Sequence, residues 1–206
     1  MKQATVGFRA HSGWAAMVAV SVEKGAPTVL ARERIELVET FTYRFRQPHH
    51  TAEKLPLGEA RKFVALVEVE AARLAHRAIH ELQSELERQG IQATSCSLLM
   101  ASGKTLPNLE KILASHALIH TADGELFREA LSSAAKRSGL ATVKIRERRL
   151  LEIAEQALRT GPAALLRRLG ELGRPFGAPW SQDEKFATLA AWLALRGLPT
   201  SAQEIP

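Results

Sequence analysis

Cysteine occurs once in this sequence, at Cys96. A single thiol cannot close an intramolecular disulfide, and it rules out a CxxC metal or redox motif. Cys96 stands in an apolar-leaning run and reads as a buried structural thiol. Aspartate is almost as scarce: Asp123 and Asp183 are the only two, and every other acid is glutamate. That matters because metal-dependent phosphoryl chemistry leans on Asp oxygens. Aromatic residues make up 5% of the chain, too few to interleave the basic runs into a base-stacking platform for single strands. Long apolar runs are also missing. Gly13–Val20 is too short for a membrane span, and no small-residue cleavage site follows it. The expected location is the cytoplasm.

What is present is ordinary globular composition. The chain has 206 residues, 46% hydrophobic and 24% charged. That suffices for a sizeable core in one domain, read here as residues 1–198 with a short C-terminal tail at 199–206. Lys and Arg number 28 against 22 acids, a net charge of +6. Such an excess is compatible with nucleic acid, phosphorylated ligands or an anionic surface, and selects none of them.

Hydrophobic periodicity orders the elements. Ala4–Phe8, Trp14–Val22 and Thr28–Val38 read as an antiparallel meander, with a turn at Lys24-Gly25-Ala26-Pro27. Thr40–Arg46 alternates Phe41, Tyr43 and Phe45 with polar residues, which predicts an extended edge segment. His49-His50 then falls in a loop running to Gly58. Glu59–Gln89 carries Phe63, Val67, Leu74, Ala78, Leu82 and Leu86 on one face of a long helix. Ile91–Met100 is a strand, and Pro107 to Gly139 is helical with a break expected at Gly124. Ala141–Ile145 is a short strand. Arg148–Leu158, Gly161–Gly173 and Ser181–Leu195 are helices, and Ser181 is the N-cap of the last. Three antiparallel strands followed by alternating helices and strands form the order of a ribonuclease-H-like α/β fold, a mixed sheet with helices on both faces. A generic three-layer α/β fold is the alternative.

Three stretches resemble the RuvC-type resolvase branch of that superfamily. Val6-Gly7-Phe8-Arg9-Ala10-His11-Ser12-Gly13-Trp14 resembles its first strand and small-residue turn. Ser115–Gly139 with Thr142–Ile145 resembles its Ala/Leu-rich helix and fifth strand. Gln182-Asp183-Glu184-Lys185-Phe186-Ala187-Thr188-Leu189-Ala190-Ala191 is similar to its last helix. The resemblance implies two divalent ions held by carboxylates from strand one, strand four and the last helix. The sequence departs from that pattern. Arg9 stands at the strand-one position, Leu99-Met100-Ala101-Ser102 brings no acid, and only Asp183 and Glu184 remain. Two-metal cleavage is therefore not expected.

Histidine gives the remaining chemistry. His76/His80 and His116/His120 each have i,i+4 spacing, which places two rings on one helix face and suits a transition metal. Neither pair has the Glu that a metalloprotease motif requires after its first His. His76/His80 sit beside Arg73 and Arg77 and read as a solvated face. His116/His120 are expected near the strand ends, where ligands of α/β folds sit. There His11, Asp183 and Glu125 are further donors. Ser102-Gly103-Lys104-Thr105 resembles the end of a phosphate-binding loop, but Leu98 stands where that motif needs its first Gly. Lys144, Arg146, Arg148, Arg149, Arg167, Arg168 and Arg174 are either a phosphate-tracking surface or a salt-bridged helix surface.

Three readings follow. In the first, a strand-end cleft of Arg9, His11, Lys104, His116, His120 and Asp183 binds an anionic ligand or partner, with no metal ligand and no cofactor assigned. In the second, a His-rich mononuclear metal or a His acid–base pair makes the chain an enzyme. In the third, it is a structured nucleic-acid binder. Oligomeric state and substrate are not legible.

Overall fold

The computed structural model describes residues 2–101 and 105–197. Lys104 and the tail expected from residue 199 lie outside them. Five strands form one mixed sheet in the order β3-β2-β1-β4-β5. They are β1 Lys2–His11, β2 Trp14–Glu23, β3 Ala26–Glu36, β4 Ile91–Met100 and β5 Ala141–Arg146. The first three pair antiparallel, and β4 and β5 run parallel to β1. This is the ribonuclease-H-like arrangement expected from the strand order. Among the described residues no helix is long and apolar enough to cross a membrane.

The meander turns are tight. Lys24 and Gly25 both have positive φ, 49° and 80°, the pair of values that a two-residue I′ hairpin demands. β1 reaches three residues further than its apolar run suggests, because Arg9, Ala10 and His11 stay paired with Ala16, Ala15 and Trp14. Arg9 is thus a strand residue near the carboxyl end of the central strand, not part of a loop.

Helices cover both faces. α1 spans Tyr43–Arg46, α2 Pro48–Ala52, α3 Leu57–Arg88, α4 Leu109–Leu113 and α5 His116–Arg137. α6 spans Leu150–Leu158, α7 Pro162–Leu172 and α8 Gln182–Leu195. Ala4, Val6, Phe8 and Ala10 of β1 join α3 and α5 in one core. The opposite face packs on α8, flanked by α6 and α7. In β4 an extra residue, Thr94, stands between the pairs Ala4–Ala93 and Thr5–Ser95. This bulge switches the inward positions from Ile91 and Ala93 to Cys96 and Leu98.

Two elements differ from expectation. Thr40–Arg46 alternates in character, yet residues 43–46 coil into α1 instead of pairing with the sheet. Phe45 does so to meet Phe63 of α3, centroids 5.9 Å apart, while Phe41 and Tyr43 stay exposed. His49-His50 is not a loop but part of α2, and both histidines are buried. Gly124 does not split the helical region either. The break falls at Ala114–Ser115, and α5 runs through Gly124. A Cβ there would lie 2.8 Å from Nη1 of Arg128, so the glycine makes room for that guanidinium.

Among the described glycines, Gly7 has the least room for a side chain. A Cβ at Gly7 would lie 2.0 Å from the Ala187 carbonyl oxygen of α8. No rotamer change relieves a clash with backbone. Gly7→Ala is expected to destabilise the protein by about 1–3 kcal/mol or more by forcing α8 off the sheet. Gly170→Ala, in α7 with open space at its Cβ, is expected to stabilise by about 0.5–1 kcal/mol. Urea denaturation of both variants checks the pair of opposite signs.

Candidate functional site

The carboxyl end of β1 and the first turn of α8 face each other because Gly7 and Ala187 are already in contact. Arg9 is two residues on from Gly7, on the same sheet face. Asp183 is four residues before Ala187, on the same helix face. The two side chains therefore meet: Arg9 Nη1 donates to Asp183 Oδ1 at 2.5 Å. The other edge of the guanidinium is taken by Glu147, which follows β5. Nε donates to Oε2 at 3.1 Å and Nη2 to Oε1 at 2.6 Å, a bidentate fork. The Arg9 guanidinium also lies 5.4 Å from the Phe186 ring centroid, a cation–π contact. Its side chain retains 16% exposure.

His11 completes the cluster. Its Nε2 lies 2.6 Å from the same Asp183 Oδ1, and its ring stacks on Trp14 at 4.4 Å. Burial pushes the Asp183 carboxyl up, but the hydrogen bond and charge of His11 and then the Arg9 guanidinium outweigh it. The carboxyl is held below its ordinary range. Burial likewise works against the Arg9 cation, and Glu147 and Asp183 overcome it, so its pKa is raised. Glu184 is not available to this cluster. It accepts from the Ser181 N–H and hydroxyl, each at 2.7 Å, and closes the capping box of α8.

Arg9, His11 and Glu147 line an open cleft of about 790 Å³ with Ala10, Ala101, Arg128, Arg148, Leu151 and Phe186, and Asp183 lines the neighbouring pocket with Trp14 and Ser181. Arg128 is held there by the Leu99 carbonyl at 3.3 Å and by Glu125 at 3.3 Å. Glu125 is thereby an anchor for Arg128. Arg148 is exposed on the rim and makes no ion pair among the described residues.

Of the six residues expected in the cleft, Arg9, His11 and Asp183 converge. His116 and His120 do not. They lie at the start of α5 against His50 of α2, with His116–His120 centroids 4.5 Å apart and His50–His120 centroids 4.4 Å apart. The expected grouping of His116/His120 with His11 and Asp183 is therefore corrected: neither lines the cleft with Arg9 and His11, and both pack on His50 instead. Glu147 is not singled out by the sequence: it stands in an Arg/Glu run, and only the turn after β5 brings it to Arg9. His76 and His80 remain on the open side of α3, as expected.

Comparison with known proteins gives one kind of match. No family model matches the chain, and no curated protein does. Among solved structures, the chain is similar to RuvC from Thermus thermophilus in complex with a Holliday junction substrate. Identity is 12%, coverage 93% of this chain and 91% of the other, and the TM-score 0.53. A second Thermus thermophilus RuvC structure matches at 16% identity, 94% and 92% coverage and TM-score 0.49. The RuvC-type, ribonuclease-H-like fold is thus shared.

The depressed Asp183 carboxyl makes a pH prediction. A group whose folded pKa lies below its unfolded value stabilises the fold above the unfolded value and loses that effect as pH falls through the folded one. Asp183→Asn is expected to cost about 1.5–3 kcal/mol at neutral pH, the range for hydrogen bonds to charged groups. The gap from the unsubstituted protein should close as the pH drops below the ordinary carboxylate range. Denaturation curves of both proteins across acid pH check this; a gap that does not change with pH would contradict the ion-pair assignment.

Proposed function

We propose that this chain is a RuvC-type domain that binds the phosphate backbone of structured nucleic acid across its strand-end cleft without two-metal cleavage. The observation that carries this reading is the Arg9 guanidinium, fixed between Glu147 and Asp183. The fold implies a pair of divalent ions on carboxylates, and the residues here do not fit such a pair. A fixed cation already satisfies both acids, and it repels a second positive charge. β4 adds no acid at its carboxyl end, which reads Leu99-Met100-Ala101.

The cleft keeps an affinity for anions by other means. Arg148 on the rim and Arg146 before it make no ion pair among the described residues. Arg128 projects into the cleft over Gly124. Cations placed this way hold phosphates and release counterions, which gives sequence-independent binding. The Thermus thermophilus protein of the same fold was solved with a Holliday junction, and branched DNA is accordingly the first ligand class to try. A small anion bound in the same cleft is the narrower form of the reading. A reducing compartment such as the cytoplasm fits the single buried thiol, Cys96.

Fluorescence polarisation with a labelled four-way junction and a labelled duplex tests it. Binding at low salt is expected, with affinity falling linearly in log salt. Arg148→Glu is expected to weaken binding about tenfold and to lower the salt slope by about one or two, whereas Arg77→Glu on α3 leaves both unchanged. Magnesium or manganese should produce no cleavage. Absence of binding at low salt, or cleavage lost in Asp183→Ala, would overturn the reading.

A further inference from the structure

We propose that His50, His116 and His120 form a mononuclear site for a borderline divalent metal ion, zinc foremost, with Asp123 orienting it from behind. The cluster lies outside the cleft, and none of the three histidines lines it.

Asp123 is the starting point. It is one of two aspartates in the chain, and its side chain is 3% exposed in the middle of α5. A bare buried carboxylate is costly, so its partners matter. They are three donors from α2. The His49 backbone N–H lies 2.7 Å and His49 Nδ1 2.9 Å from Oδ1, and His50 Nδ1 lies 2.6 Å from Oδ2. An ionised carboxylate only accepts, so both Nδ1 atoms carry the proton. In the neutral His50 ring the free lone pair is then on Nε2.

The His50 ring lies beside two more imidazoles, those of His116 and His120. One ring nitrogen each from His50, His116 and His120 lies within 4.8 Å of the others. His116 Nε2 and His120 Nε2 are 3.0 Å apart. Tetrahedral zinc with nitrogen ligands at about 2.0–2.1 Å holds them roughly 3.4 Å apart. His116 and His120 are exposed, so rotation of their side chains closes the remaining gap without moving backbone. Their i,i+4 spacing supplies two ligands from one helix face. Packing of α2 against α5 supplies the third.

The carboxylate–histidine–metal relay is the arrangement that fixes a ligand's tautomer and raises its basicity. Here it is built before any ion arrives. Soft thiolate is absent and no carboxylate belongs to the ligand set, so the donors are three imidazoles, which suit zinc, copper, nickel or cobalt better than magnesium or calcium. Three protein ligands leave one coordination position to solvent.

Cobalt(II) titration of untagged full-length protein at neutral pH tests the site. One ion per chain with the visible absorption of a four- or five-coordinate centre is expected, displaced by zinc. His116→Ala and His120→Ala, both exposed positions, should each lower the affinity 100-fold or more. Asp123→Asn should lower it about 10–100-fold, and if that buried change disturbs folding the two exposed variants still decide. His76→Ala, in the other i,i+4 pair, should change nothing. Absence of saturable binding, binding indifferent to His116 and His120, or binding lost with His76 would each overturn the site. None of these outcomes bears on binding in the cleft.

Discussion

Everything at the strand-end cleft depends on how near α8 comes to β1. Helices normally ride above a sheet on a cushion of apolar side chains. Here the central strand puts a glycine under the helix, and the helix answers with Ala187 and Ala191, both fully buried. The approach is backbone against side-chain-free backbone. Because it occurs one helical turn from Asp183 and two residues from Arg9, it holds those charges at hydrogen-bond distance without further adjustment. The capping box at Ser181 and Glu184 fixes where α8 begins, so Asp183 cannot slide along the helix.

Given that scaffold, the residue at the end of β1 decides the chemistry. A carboxylate there would face Glu147 and Asp183 and make three anionic groups in one cleft, a set that only cations could relieve. Arginine reverses the sign. Its planar fork matches Glu147 with two parallel bonds and leaves one nitrogen for Asp183, so the acids are satisfied within the protein. The same geometry that could hold hard cations holds a guanidinium, and Arg148 on the rim is left with no acid partner among the described residues. A fold can thus keep its shape while its site changes from cation-seeking to anion-tolerant.

Much of this was legible. The three-strand meander, the long amphipathic α3, the strand Ile91–Met100 and the Ser181 cap follow from local patterns, because each buries a face or satisfies a helix end within a few residues. Arg9 and Asp183 were legible as members of one cleft through the resemblance, not as partners. What sequence could not show rests on contacts between distant segments. Phe45 alternates like a strand residue but coils because Phe63 awaits it on α3. Glu147 looks like any acid in an Arg/Glu run until the turn after β5 aims it at Arg9. Gly124 resembles a helix breaker and instead clears space for Arg128. Two adjacent histidines beside a proline resemble an exposed loop; only a buried aspartate in α5 explains why they are inside.

That aspartate separates the two clusters physically. In the cleft every strong hydrogen-bonding group near Arg9 already has a counterpart, so the cluster reads as structure with an electrostatic consequence. At Asp123 the balance is unequal. The carboxylate takes all its donors from α2, and each bond to an Nδ1 directs a lone pair to the far side of the ring. Beside the His50 ring stand two more imidazoles on one helix face. Three rings converging there bring lone pairs together, a crowding that one shared proton relieves for His116 and His120 but not for His50. A single divalent ion relieves it for all three at once, which is why the unused donors, rather than the buried acid, mark this end of the molecule as a site.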